Sequence, residues 1–210
     1  MLGWVLRMKN VYILGDSNAK YLVDPFSDEE YFHDIYIEDI HLHVRAFKSF
    51  TAYQVNEEVL DSIGFEDNSI VLFYFGYVDI RSYSMRYNNI EVVAKQYVSR
   101  IKKYFEGKNI LFGFIEPIPS ANKEDWISVQ PSEIHDWISG SVKERYIEHK
   151  KFINIISSEN IFIPIIGTVL DSYYLNLSHT EDFNHLNIEY NNLILDYILL
   201  KIKDLQAEIK

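Results

Sequence analysis

Short apolar runs alternate along the chain with longer segments in which apolar residues recur every three or four positions. Short runs are typical of buried strands, and the longer pattern is typical of helices packed on a sheet. Their alternation predicts an α/β fold with a mainly parallel sheet. The predicted strands are 11–14, 41–46, 70–75, 110–115 and 161–165, and the predicted helices are roughly 52–62, 90–105, 142–157 and 188–205.

The second predicted strand differs from the others because polar and apolar residues alternate along it. His41, His43 and Arg45 fall on one face, which predicts an edge strand with one face in water. His41 and His43 resemble a metal-binding pair, but no third ligand stands near them in sequence, so no metal site is predicted. The remaining histidines without a patterned partner are expected at the surface: His33, His135, His149 and His179.

The length and net charge of the chain limit the classes of protein to which it can belong. The 210 residues contain no repeat or composition shift, so we expect one domain over 1–210. A net charge of −11 without a basic cluster argues against nucleic-acid and anionic-membrane partners. No run reaches the roughly 18 apolar residues that span a bilayer, and the apolar patch at 2–6 is short for a signal peptide. We therefore expect a cytoplasmic protein.

The turn after the first strand is the first candidate for chemistry. It reads Gly15, Asp16, Ser17, Asn18. Ligands of open α/β sheets bind outside the carboxyl ends of the strands, so a serine here presents its hydroxyl and N–H in that crevice. Gly15 is expected to permit a tight turn. An ordinary turn, with Asp16 or Ser17 capping the first helix, is the alternative interpretation.

A serine needs a base before it can act as a nucleophile, and histidine is the usual base at neutral pH. His185 lies just before the last predicted helix and follows Asp182 by three positions. A carboxylate at that spacing can accept from one ring nitrogen and leave the other to face the serine. The absence of cysteine excludes a thiol nucleophile, disulfides and thiolate metal sites.

These two motifs resemble the first and last sequence blocks of the SGNH (GDSL-like) hydrolase family in order, position and chain length. The resemblance implies a flavodoxin-like three-layer sandwich with a five-stranded parallel sheet. It also implies that Ser17 attacks an ester carbonyl, that His185 is the base and that Asp182 orients it. Such a mechanism requires neither a metal nor an organic cofactor.

The middle blocks depart from the family pattern. The third block usually reads Gly-x-Asn-Asp, whereas residues 76–81 read Gly-Tyr-Val-Asp-Ile-Arg. Val78 therefore stands where the family has an asparagine that donates to the oxyanion. The stretch is closer to a variant that reads Gly-Glu-x-Asp-x-Arg, with Tyr77 replacing its Glu. Ser49 is the nearest candidate for the glycine of the second block, whose N–H joins the oxyanion hole.

We expect the oxyanion to be held by the N–H groups of Ser17 and Ser49 with help from Arg81. An ion pair of Asp79 with Arg81 at a strand end is the alternative role for that arginine. The other positions of these blocks that are expected to contact substrate are Asp16, Asn18, Gly76 and Asp79.

The leading hypothesis is an esterase or O-acyltransferase, and the variant third block favours a carbohydrate acyl ester. A non-catalytic binding domain of the same fold is the alternative, which Val78 favours. A phosphate-binding module is disfavoured because the first turn lacks a glycine-rich cradle. The acyl group, the acceptor and the oligomeric state are not predicted.

Overall fold

The computed structural model describes residues 9–26, 31–82, 89–120, 138, 140–175, 178–180 and 185–208. Six strands form one sheet: β1 (Lys9–Gly15), β2 (Phe32–Ile37), β3 (Ile40–Ala46), β4 (Ile70–Tyr74), β5 (Leu111–Ile115) and β6 (Phe162–Ile163). The helices are α1 (Ser17–Tyr21), α2 (Glu57–Asp61), α3 (Tyr77–Arg81), α4 (Ile90–Phe105), α5 (Val142–Ile156) and α6 (Ile188–Glu208), with a 3₁₀ helix at Ala52–Gln54.

The sheet has the strand order β2-β3-β1-β4-β5-β6, and all neighbours are parallel except β2 and β3. Counted in chain order, the five parallel strands run 2-1-3-4-5, which is the flavodoxin-like order. The α/β class predicted from the sequence pattern and the flavodoxin-like arrangement implied by the resemblance are therefore confirmed.

The prediction of five strands with β3 at the edge is wrong in detail. An antiparallel strand, β2, pairs with β3 and forms the edge in its place. The sequence of β2 hides it, because its residues alternate only between exposed and half-buried positions and include no apolar run. Tyr36, for example, is 63% exposed.

Two apolar clusters cover the two faces of the sheet. The alternation of side chains along β1 sends Val11 and Ile13 to one cluster and Tyr12 and Leu14 to the other. Helix α6 packs on the first face, and α4 and α5 pack on the second, which makes the three layers that the resemblance implies. The helical residues involved are Ile194, Ile198 and Ile202 on the first face, and Ala94, Tyr97, Ile101, Phe152 and Ile156 on the second.

The three long helices lie where the sequence predicts them, but the helix predicted over 52–62 is interrupted. The Asn56 side chain accepts a hydrogen bond from the Val59 N–H at 3.0 Å and starts α2 as a separate helix. The sequence pattern predicts no helix between β4 and α4, but residues 77–81 form the helical turn α3. Among the helices described above, none is long and apolar enough to cross a membrane.

The sequence predicts that Gly15 permits a tight turn, and its lack of a side chain is also needed for close packing. Its φ does not lie in the left-handed region. A Cβ at this position would lie 2.6 Å from Ala19 Cβ and 2.7 Å from the Tyr74 carbonyl oxygen. The absent side chain therefore lets α1 and β4 approach the end of β1.

We predict that Gly15→Ala lowers the free energy of unfolding by about 1–3 kcal/mol, because a methyl group would be forced into filled space. Urea unfolding followed by circular dichroism measures the change. Lys103→Ala, an exposed change on α4, is the control and should stay close to the wild type. Equal stability of the Gly15→Ala variant and the wild type would contradict this packing account.

Candidate active site

Ser17 is the first residue of α1 and lies at the carboxyl end of β1. Asp16 is the N-cap of this helix, and its Oδ1 accepts hydrogen bonds from both the backbone N–H and the side-chain amide of Asn18, each at 2.9 Å. The turn is thereby held by buried groups on either side of Ser17, which is itself half-buried. Asp16 therefore caps α1, as the alternative interpretation of the turn expects. Ser17 nevertheless lies at the carboxyl edge of the sheet, where ligands bind.

The hydroxyl of Ser17 meets the imidazole of His185. Ser17 Oγ and His185 Nε2 are 2.9 Å apart, although 168 positions separate the two residues in the sequence. This is the contact that the sequence motifs predict, and it lies within the range in which a base can take a hydroxyl proton.

The backbone around His185 is anchored on both sides. Leu186 is buried and forms an isolated antiparallel bridge with Thr180. The Asn187 N–H donates to the His179 carbonyl at 2.8 Å, and the Asn191 side chain donates to the Leu186 carbonyl at 2.7 Å. Asp182 lies outside the described residues, so its contact with His185 stays a prediction.

An aromatic contact at this site was not predicted from the sequence. Tyr21 stacks on His185 with ring centroids 3.9 Å apart and an interplanar angle of 13°. Tyr21 follows Ser17 by four positions, so both project from one face of α1. The spacing of four was the only sequence signal for Tyr21. It indicates that Tyr21 shares a helix face with Ser17, but not that this face contacts His185.

The loop after β3 carries Ser49 in a left-handed conformation, with φ of 56°. Non-glycine residues adopt this region rarely, whereas glycine adopts it readily. The Phe47 N–H donates to the Gly15 carbonyl at 2.9 Å, so the loop begins beside the turn that carries Ser17. A glycine-like conformation supports the alignment of Ser49 with the glycine of the second family block.

From the sequence, Asp79 and Arg81 are expected at a strand end. In the structure, the third block forms the helix α3. Gly76 has φ of 125°, and a Cβ there would lie 2.8 Å from the Phe152 ring. Val78 is only 3% exposed and belongs to the apolar core. The side chain at the family's asparagine position therefore offers no hydrogen-bond donor.

Asp79 is fully buried and faces the backbone of the neighbouring 3₁₀ helix. Its carboxylate accepts from the Ala52 N–H at 2.7 Å and from the Tyr53 N–H at 3.4 Å. These bonds tie the segment that follows the Ser49 loop to α3. The geometry favours a supporting role, and direct substrate contact by Asp79 stays a prediction.

The guanidinium of Arg81 is mostly buried and lies 5.2 Å from the centroid of the Tyr77 ring. Its charge reaches the site, because it is one of the groups that stabilise ionised Asp16. This effect on Asp16 is what links Arg81 to the Ser17 turn.

Burial raises the pKa of Asp16 to about 6, against the opposing effect of the Asn18 hydrogen bonds and the charges of His185 and Arg81. Asp16 is 1% exposed, and its buried Oδ2 has no hydrogen-bond partner among the residues that the structure describes. Asn18 is also buried. Substrate contact by Asp16 and Asn18 stays a prediction, while their hydrogen bonds give them a defined part in shaping the turn.

Two expectations about histidines change. His149 is 2% exposed and not at the surface, and its Nε2 donates to the Pro117 carbonyl at 3.1 Å. Burial lowers its pKa to about 4, so it is neutral near pH 7. His179 is also buried. No local pattern predicts this burial, because buried and exposed histidines do not differ in their sequence surroundings.

The third metal ligand that His41 and His43 lacked in sequence is present in space. Asp34 on β2 places a carboxylate oxygen within 4.8 Å of a ring nitrogen of each histidine. However, Asp34 Oδ1 already lies 2.7 Å from the guanidinium of Arg45 and 2.7 Å from His43 Nδ1. Arg45 thus supplies the positive charge that this carboxylate attracts, and we assign no metal to the cluster.

Comparisons with known proteins identify the fold. No protein-family model matches the sequence, and no curated protein matches it. Solved structures match over nearly the whole chain. An acetyl xylan esterase has a TM-score of 0.62 at 15% identity, with 92% of this chain and 99% of that one covered. A GDSL-like lipase from Bacteroides thetaiotaomicron has a TM-score of 0.62 at 15% identity, with 97% and 92% covered.

The esterase EstA from Pseudoalteromonas is a third similar structure, with a TM-score of 0.56, 15% identity, and 95% of this chain and 99% of that one covered. At such identities the likeness establishes the fold. The chain therefore has the fold of the GDSL/SGNH hydrolases, which confirms at that level the resemblance indicated by its first and last motifs.

We predict that Asp16→Asn stabilises the fold at pH 8 by about 2–3 kcal/mol and leaves it unchanged near pH 4. The folded-state pKa of Asp16, about 6, lies above its ordinary value, so burial penalises the carboxylate fully above pH 6 and not at all below about pH 4. Urea unfolding of both proteins between pH 4 and pH 8 measures the difference. A stability difference that does not vary over this range would contradict the assignment.

Proposed function

We propose that this protein is a serine hydrolase of the SGNH type that cleaves an acyl ester through an acyl-Ser17 intermediate. The observation that carries the proposal is the 2.9 Å contact between Ser17 Oγ and His185 Nε2 at the carboxyl edge of the sheet. The fold supports it, because ligands of open α/β sheets bind at that edge.

The proposed reaction uses the two residues in turn. His185 Nε2 takes the hydroxyl proton as Ser17 Oγ attacks the ester carbonyl, and the proton then passes to the departing alcohol. Water attacks the acyl-serine with His185 again as base, which releases the acid and restores Ser17. If a sugar hydroxyl attacks in place of water, the same residues carry out acyl transfer. Asp182 is the proposed partner of Nδ1, on the strength of the sequence motif.

Stabilisation of the oxyanion is assigned to the N–H groups of Ser17 and Ser49 and to the charge of Arg81. The conformation of Ser49 and the electrostatic effect of Arg81 on Asp16 support this assignment. Val78 contributes no donor. The other groups must therefore stabilise more of the oxyanion's negative charge than they would in a site with an asparagine.

The substrate class that we propose first is an acetylated carbohydrate. One of the similar structures is an acetyl xylan esterase, and others are a lipase and an esterase, so the fold is compatible with several acyl esters. A panel of acetylated sugars and aryl esters, with acetate release as the readout, separates these classes. No metal or organic cofactor takes part in the proposed mechanism.

A non-catalytic binding domain remains the second candidate, and Val78 is the observation that favours it. Without a side-chain donor at this position, a domain could keep the fold and the crevice but turn over esters very slowly. The two candidates differ in whether Ser17 reacts with an electrophile.

We predict that an alkyl fluorophosphonate modifies Ser17, and that mass spectrometry of the digested protein locates the adduct. Ser17→Ala should abolish the adduct, and His185→Ala should slow its formation by about 10³-fold or more because the base is lost. EstA, one of the similar structures, is inhibited by a monoethylphosphonate, which makes this reagent class suitable.

Ser62→Ala, which changes an exposed serine at the end of α2, serves as the control and should react like the wild type. If the folded wild type forms no adduct but binds acetylated sugars, the binding domain is the better assignment.

We predict that Arg81→Met lowers turnover of the best ester by about 10²–10³-fold, the usual effect of losing one oxyanion donor. Lys108→Met is the control, because Lys108 also lies over a tyrosine ring, that of Tyr104, at 3.2 Å, and it precedes β5 at the opposite edge of the sheet. Circular dichroism checks that both variants fold. Unchanged turnover in a folded Arg81→Met variant would remove Arg81 from the oxyanion site.

A further inference from the structure

We infer that Tyr21 is a positioning residue that holds the imidazole of His185 in the plane from which Nε2 faces Ser17. The inference rests on the proposed function, because positioning matters only if His185 acts as the base. It adds to the mechanism a residue that neither the sequence motifs nor the comparisons assign.

The stack and the hydrogen bond constrain different motions of the same ring. The contact with Ser17 Oγ at 2.9 Å fixes where Nε2 lies. The Tyr21 ring, 3.9 Å away between centroids and within 13° of parallel, restricts rotation of the imidazole about its Cβ–Cγ bond. An imidazole that left this plane would lose the stack and would turn its nitrogens away from the directions that proton transfer requires.

Both constraints come from one face of α1. Ser17 and Tyr21 are the first and last residues of this helix, and a spacing of four places their side chains one above the other. Because Asp16 caps the helix and Gly15 allows its close packing, the nucleophile and the stacking ring have a fixed separation. The short helix thus presents the serine and the ring to the imidazole together.

The Tyr21 ring is held in turn by Lys20. The Lys20 side chain is 1% exposed, and its ammonium lies 5.0 Å from the centroid of the Tyr21 ring and 5.1 Å from that of Tyr31. The Tyr31 carbonyl accepts from the Ala46 N–H at 2.9 Å, which connects this group to the end of β3. Attraction of a buried cation to two aromatic rings limits the movement of Tyr21 away from His185.

The experiment compares Tyr21→Leu, Tyr21→Met and Tyr21→Phe with the wild type, using fluorophosphonate modification of Ser17. The concentration dependence of the reaction separates the maximal rate constant from the half-saturating concentration. Leu and Met should lower the maximal rate roughly three- to tenfold, which corresponds to one aromatic pair, and leave the half-saturating concentration unchanged. Phe keeps the ring and should restore most of the rate.

Tyr36→Leu is the matched control, because Tyr36 stacks on His41 with a centroid distance of 4.2 Å and an angle of 7°, on the β2–β3 hairpin. It removes a Tyr–His stack of the same kind and should leave the rate of modification unchanged. Folded Leu and Met variants that react as fast as the wild type would overturn the inference. If the wild type itself does not react, the proposed function fails, which is a separate result.

Proton NMR of the wild type tests the stack without any variant at Tyr21. A ring that lies parallel on Tyr21 has its carbon-bound protons shifted upfield, and the signals that disappear in His185→Gln identify them. Upfield shifts are expected. Signals of His185 at the positions of an unstacked histidine would overturn the inference even if every Tyr21 variant failed to fold.

Discussion

The account depends on one contact, the 2.9 Å approach of Ser17 Oγ to His185 Nε2, which joins the two ends of the described chain. The two residues are 168 positions apart in the sequence, so no single helix, strand or turn brings them together. Ser17 is placed by β1, whose buried side chains fill both faces of the sheet, and His185 is placed by the bridge and hydrogen bonds that precede α6. The contact therefore exists only when the sheet and the last helix have packed together.

The groups around this contact are held by buried polar residues whose partners are mainly backbone atoms. Asp16 caps α1, and Asp79 accepts hydrogen bonds from two N–H groups of the segment after the Ser49 loop. Glu116 does the same for the loop after β6, by accepting from the N–H groups of Ile165 and Ile166. Buried carboxylates paired with N–H donors fix irregular loops that apolar packing alone could not orient.

The parts of the fold that the sequence predicts well are those set by long periodic patterns or continuous apolar runs. Strands β1, β4 and β5 and helices α4, α5 and α6 belong to this group. The strand β2 was missed because it lies at an edge and buries little, and α3 was missed because five residues are too few to show a period. Asp34 was missed as a neighbour of His43 for the same reason as β2.

At the site, the sequence predicts which residues meet but not how they are supported. The Ser17 and His185 motifs could be recognised because each stands beside a predicted element at the carboxyl edge. The stacking of Tyr21, the burial of His149 and the backbone partners of Asp79 depend on long-range contacts, which a single sequence does not encode in any local pattern.

A double-mutant cycle on the hydrolysis of an aryl acetate tests the central contact most directly. If Ser17 and His185 act as one unit, the Ser17→Ala/His185→Ala protein should be no slower than either single variant, because each single change already disables the unit. Independent losses that multiply in the double variant, or full activity in His185→Ala, would contradict the account.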